Sequence, residues 1–286
     1  MIIIVGAIII FASVLGGFTM AGGNVASLMH LSEIIVIGGA AFGAMVIMAP
    51  KTVLIDLFKQ ALAALKGIPY NRKSYEDLLT ALYELFMHGR KGGMIALEEH
   101  VFEPEQSSIL SKYPSFMKNK GAVTFLCEGL RPVVDGRVKP DQLKGLFDVE
   151  LHKKAEESHK AVSVLTKVGD AMPGFGIVAA VLGIVITMSA ISGPIEEIGE
   201  KVGTALVGTF LGIFVAYGFI NPLATNMDFV NNSAVGYFRC IATAVVSFAN
   251  GMAPSLAIEV ARRGLDSDVR PTATELEEMT KRLKSG

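Results

Sequence analysis

The first 50 residues of this 286-residue chain contain no lysine or arginine, and residues 171–222 contain one, Lys201. Charged residues make up only 19% of the chain, against roughly a quarter in an ordinary soluble domain. That shortage excludes an enzyme of the soluble cytosol. Tryptophan is absent, and there are only two cysteines, Cys127 and Cys240. Net charge is −1 and no block of the chain carries the basic excess of a nucleic-acid binder. The sequence has no P-loop, nucleophile elbow, HExxH or CxxC, so no catalytic set is visible and no enzymatic activity is expected. His152 and His159, with Glu156 and Glu157, lack metal-ligand spacing, and neither a metal nor a cofactor is expected.

Apolar residues and glycine fill the space instead. Hydrophobic residues reach 51%, mean hydropathy is +0.48, and there are 30 glycines. A membrane helix needs about 20 largely apolar residues at 1.5 Å each to cross roughly 30 Å of hydrocarbon. Four segments qualify: 1–20, 34–50 (short, and borrowing from Leu31), 171–195 and 202–227. The first is not read as a signal peptide, because it lacks a basic start and an A-x-A end, and a second span follows at once.

Positive charge stays on the cytoplasmic side of a membrane. Residues 51–170 and 223–286 hold 25 of the 26 Lys and Arg. Both termini and the central segment are therefore expected in the cytoplasm, with two tiny external hairpins. The resulting division is 1–50 (spans 1 and 2), 51–170 (cytoplasmic helical domain), 171–222 (spans 3 and 4) and 223–286 (cytoplasmic helical tail). Cysteines facing a reducing cytosol do not favour a structural disulfide. Val53, Leu54, Leu57, Ala61, Leu62 and Leu65 recur at helical spacing, as do Leu78, Leu79, Leu82, Leu85 and Phe86. Ser74 with Asp77 suggests an N-cap, and Thr274 with Glu277 a capping box. Pro104, Pro114, Pro132 and Pro140 divide the region between into short helices, and Pro254 interrupts the tail. With no alternating β run, the fold class is all-α: a polytopic membrane protein with four transmembrane helices and a helical cytoplasmic domain.

Gly39/Gly43 and Gly208/Gly212 are spaced four apart, which lets helix backbones approach closely in lipid, within a subunit or between subunits. No Asp, Glu, Lys, Arg or His lies inside any span. Ion transport needs a binding group midway, and intramembrane carboxylates usually serve. Either the chain moves no ions or another polypeptide supplies the carboxylate. The spans themselves offer Thr187, Ser189, Thr204, Thr209 and Tyr217, with Pro173 and Pro222 at their cytoplasmic ends. Spacing alone favours Pro173 as a helix start and Pro222 as a helix stop. Arg90, Lys91, the Gly92–Gly93 break, Glu98 and Glu99 read by themselves as a solvated face.

Several stretches resemble the MotA family of flagellar motor stator proteins, essentially end to end: GGFTMAGG (16–23), LLTALYELFMHGRKGGMIALE (78–98), GDAMPGFGIVAAVLGIV (169–185), VGTFLGIFVAYGFINPLA (207–224) and RPTATELEE (270–278). The resemblance implies a homopentameric ring around a MotB-type dimer, whose single span carries the ion-binding aspartate. It implies residence in the bacterial inner membrane and rotation against the rotor protein FliG, contacted through the positions Arg90 and Glu98. It also implies that Pro173 and Pro222 flank the partner's aspartate, in an ion pathway that Ala180, Thr209 and Tyr217 also line.

Sodium-driven relatives tend to carry a threonine where this chain has Ala180, in addition to the one matching Thr209. One oxygen fewer disfavours sodium, which wants several ligands, and the expected coupling ion is a proton. Two other readings stay open on sequence: an ExbB/TolQ-like energiser, typically of three spans, and a membrane scaffold without transport.

Overall fold

A computed structural model describes residues 2–189 and 194–284. Residues 190–193, which close the expected span 171–195, lie outside the described residues. Twelve α-helices follow in chain order: α1 (Ile2–Met20), α2 (Leu31–Met48), α3 (Lys51–Lys66), α4 (Arg72–Gly92), α5 (Glu98–Phe102) and α6 (Pro114–Lys118), then α7 (Lys120–Val134), α8 (Pro140–Ser189), α9 (Ile195–Val215), α10 (Asn221–Ala249), α11 (Pro254–Arg263) and α12 (Ala273–Lys284). Among the described residues there is no strand, and the all-α class stands. Among the described residues four helical stretches are long and apolar enough to cross a bilayer: Ile2–Met20, Val25–Met48, and parts of Pro140–Ser189 and Ile195–Ala249.

The chain divides into two compact units, Met1–Gly67 with Glu157–Val230, and Ile68–Glu156 with Asn231–Gly286. In the first unit α1 buries none of its side chains, as expected of a helix whose solvent is lipid. Phe11 is its anchor, with ring centroids 4.9 Å from Phe219 and 5.5 Å from Phe214. Along α2 the residues Ile37, Ala41 and Met45 repeat every four positions and are buried, so one narrow stripe faces protein. On α3, Leu57 and Ala64 are buried, but Leu62 and Leu65 are exposed. The single apolar stripe expected there is in fact split between two faces of the helix, one packed within the chain and one open.

In the second unit Leu78, Leu79, Leu82, Leu85 and Phe86 are all buried, as their spacing predicts. Phe86 stacks on Phe248 of α10 with centroids 4.3 Å apart and planes within 3°. Cys127 and Cys240 are free thiols in this core, and burial raises them to about 11 and about 12, so neither is an activated nucleophile.

Several helix ends differ from expectation. Asn71, not Ser74, caps α4, its side chain accepting the Ser74 N–H. The capping box of α12 uses Thr272 and Glu275, two residues before the expected pair. Pro132 sits inside the last turn of α7 and does not break it.

Candidate functional site

In the first unit the seam between α8 and α9 is built from glycine. A β-carbon at Gly176 would lie 2.8 Å from the Gly208 carbonyl oxygen, and one at Gly212 would lie 2.7 Å from the Met172 carbonyl oxygen. A β-carbon at Gly183 would meet Ala205 Cβ at 2.8 Å. Residue numbers rise along α8 as they fall along α9, so the helices are antiparallel and in backbone contact. Gly208 and Gly212 thus serve packing inside one chain. Gly39 and Gly43 have no atom within 4 Å of an added β-carbon, so that face of α2 is open.

Ala180 and Thr209 both lie on this seam. The backbone N of Ala180 is 3.4 Å from a β-carbon built at Gly208, and the Thr209 Cα is 3.2 Å from one built at Gly176. Thr187 and Thr204 donate their hydroxyls to the carbonyls of Gly183 and Glu200, four residues back on their own helices. Among the described residues the Thr209 hydroxyl makes no such bond, although its helix would offer one, and it remains available to a ligand.

The two prolines are placed differently from what their spacing suggested. Pro173 lies deep inside the 50-residue α8, and Pro222 is the second residue of α10, which continues to Ala249. Neither ends a helix. Each lies within a continuous helical run, where its missing N–H leaves one carbonyl of the preceding turn without its helical partner. Before Pro222 the helix widens into a π-turn over Ala216–Ile220, where the Asn221 N–H donates to the carbonyl of Ala216, five residues back. Tyr217 rides on this turn, 60% exposed. Beside the two prolines, Asn221 Nδ2 donates to Asp170 Oδ1 at 3.1 Å.

At the other end of α9 a cavity of about 610 Å³ is lined by Asn24, Ser27, His30, Glu200 and Thr204 among others. Phe18, Leu28 and Val207 complete a lining of mixed character. Lys201 is held by Glu197 one turn earlier, at 2.8 Å.

Arg90 and Glu98 belong to the second unit. α4 ends at the Gly92–Gly93 break, where Gly93 takes φ 78°, a conformation that favours glycine. The chain then turns through Met94–Leu97 and drops the fully buried Leu97 onto Gly89, whose added β-carbon would sit 3.0 Å away. That anchor fixes the segments bearing Arg90 and Glu98. Both side chains are exposed, and neither has an ion pair or hydrogen bond among the described residues. They are free to meet charges on another molecule.

Two residues after Glu98, His100 is buried, with Nδ1 2.9 Å from Ser107 Oγ and its ring 5.1 Å from that of His88. Burial and the neighbouring His88 hold its pKa below the usual histidine range. His100 thus ties the segment that follows Glu98 to Ser107 and to His88 of α4. Sequence reading passed over His100, Asp170 and Asn221. For the last two a signal was present: Asn221 directly precedes Pro222, and Asp170 and Gly169 stand three and four residues before Pro173.

Comparisons with known proteins follow the same outline. The family description "Motility protein A N-terminal" matches residues 4–93, and "MotA/TolQ/ExbB proton channel family" matches 118–237. The chain is 33% identical to Motility protein A of Salmonella typhimurium, over all of this chain and 97% of that one. It is 35% identical to Chemotaxis protein LafT of Vibrio parahaemolyticus, over 95% of each. In fold it matches a chain of the solved C. jejuni MotAB structure with a TM-score of 0.78 at 23% identity, over 95% of this chain and 98% of that one.

Proposed function

Because the chain belongs to the motility protein A family, within the MotA/TolQ/ExbB proton channel family, we propose that it is a stator subunit of the bacterial flagellar motor. It crosses the inner membrane four times with both termini in the cytoplasm. Five copies form a ring around a MotB-type partner whose aspartate carries the coupling ion. The observation that carries this reading is the acid-free α8–α9 seam, which has the uncommitted Thr209 hydroxyl within it and Pro173 and Pro222 set inside running helices.

The chemistry follows from charge in a low-dielectric site. An unpaired carboxylate there is costly, and protonation removes the cost. Packing around the neutral and charged partner must therefore differ, and the helix turns at Pro173 and Pro222 are where α8 and α10 can bend between the two. A charge crossing the membrane releases about 2.3 kcal/mol per 100 mV, several times thermal energy. The ring turns by that step, and Arg90 and Glu98 transmit it to opposite charges on FliG. Exposed pairs are worth at most about 1 kcal/mol each, so the contacts form and release as a gear requires.

The coupling ion is the proton. Ala180 is 9% exposed and presents only a methyl group at the seam, leaving Thr209 as the hydroxyl nearby. A proton needs the partner's carboxylate alone, whereas sodium needs further oxygens. Swimming speed of a strain carrying this chain tests the assignment: it should collapse with a protonophore and persist when sodium is withdrawn. The reverse pattern would overturn the ion assignment.

A further inference from the structure

Pro173 has no N–H, so the carbonyl of Gly169, four residues earlier, loses the partner an α-helix would give it. Gly169 is also where Asn221 comes closest, since a β-carbon there would lie 1.9 Å from Asn221 Oδ1. That oxygen is buried and accepts no hydrogen bond, while Nδ2 of the same amide donates to Asp170 Oδ1 at 3.1 Å. Asp170 itself is exposed. An ionisable group in contact with water and an amide that donates through Nδ2 while its oxygen stays idle thus meet beside Gly169.

We propose that Asp170 takes up the proton leaving the ion path on the cytoplasmic side, and that Asn221 is the positioning residue through which the two proline-bearing helices respond. The inference rests on the proton-driven reading above. An ionised Asp170 can only accept, so it holds Nδ2 and leaves Asn221 Oδ1 idle. Protonation gives the carboxyl an O–H to donate. The amide then turns over: the Nδ2–H to carboxylate bond breaks, a carboxyl O–H to Oδ1 bond forms, and Nδ2 faces the freed Gly169 carbonyl. Loss of the proton to cytosolic water restores the first arrangement. Asn221 is also the residue whose backbone N–H closes the π-turn, so a change in its side chain acts on the helix that Pro222 interrupts.

Other charges on the helices of this region are few. In this unit α8 carries Glu157, Lys160 and Lys167, and His159 paired with Asp228 of α10 at 3.7 Å. α3 carries Lys51, and Asp56 with Lys59. The charges of α9 lie at 196–201, at its opposite end.

The test is rotation of single motors at low load, with full-length chain and partner, while cytoplasmic pH is set with a weak acid. The wild-type motor must slow as the proton gradient collapses; if it does not, the proton-driven reading fails, and this inference with it. Given that, Asp170→Asn should lower the low-load speed by about a hundredfold, the low end of what a positioned proton acceptor supplies. It should also flatten the dependence on cytoplasmic pH, and Asp170→Glu should restore both. Asn221→Ala should shift the pH profile and add nothing to Asp170→Asn in the double variant. Wild-type speed and profile in Asp170→Asn, multiplying effects in the double variant, or loss of the Asp170→Asn chain from the membrane would overturn the proposal.

Discussion

Gly169 and Asn221 interlock: the side-chain oxygen of Asn221 fills the space a β-carbon at Gly169 would need, 1.9 Å from where that carbon would stand. Gly169→Ala should therefore expel the Asn221 amide and cost about 1–3 kcal/mol, the range for forcing a methyl into packed space. Adding Asn221→Ala to the same chain should recover most of that loss. Thermal unfolding of the chain in nanodiscs, followed by circular dichroism, reads the three variants.

The glycines of the α8–α9 seam divide from those of α2 in the same assay. Gly176→Ala and Gly212→Ala place a methyl against backbone atoms of the facing helix, at 2.8 Å and 2.7 Å, where nothing can yield cheaply. Each should lower the unfolding temperature of the single chain. Gly39→Ala meets no atom within 4 Å and should leave it unchanged or slightly raised, alanine being the better helix former by about 1 kcal/mol.

Charge reversal at Arg90 or Glu98 should reduce motor torque several-fold, the scale of losing contacts worth about 1 kcal/mol each. Both side chains are exposed and unpaired among the described residues, so membrane insertion and ring assembly should be intact. Torque on tethered cells, alongside the amount of chain in the membrane, checks this. A variant missing from the membrane would make these side chains structural.

Acid should unlock the second unit through Glu259. Arg262 donates to its carboxylate at 2.7 and 2.8 Å and Arg263 at 2.8 Å, and these bonds hold its pKa near 2, below the ordinary 4.5. A depressed carboxylate stabilises fully above its unfolded pKa, so this contribution persists above about pH 4.5 and disappears as pH falls toward 2. Arg262 also donates Nη1 to the Pro271 carbonyl at 2.8 Å, tying α11 to the start of α12. Arg262→Ala should cost about 2 kcal/mol near neutral pH, the worth of charge-assisted bonds, and less as pH falls through that window. Hydrogen exchange of α11 and α12 amides measures both.

The four apolar stretches and the core face of α4 were legible in the sequence, because lipid and a buried stripe each impose a pattern on consecutive residues. Arg90 and Glu98 were legible as charges but carried no sign of their use, and only family resemblance singled them out. The prolines misled. Their neighbours read equally well as helix ends, and what keeps α8 running past Pro173 and α10 past Pro222 is tertiary: a glycine seam to α9, and a π-turn that absorbs a missing N–H. The cap of α4 moved from Ser74 to Asn71 because either residue can accept an amide, and local sequence does not rank them. Asn221 against Gly169 joins positions 52 residues apart, beyond the reach of any local rule.

The central claim is that the α8–α9 seam of this chain carries no acid of its own and that ion flow through it needs a partner's carboxylate. Proton flux into liposomes measures it directly, with the purified chain alone and then with a MotB-type partner. The chain alone should be no leakier than empty vesicles, and the complex should conduct unless the partner's aspartate is replaced by alanine. Conduction by this chain alone, at a rate no partner improves, would contradict the account.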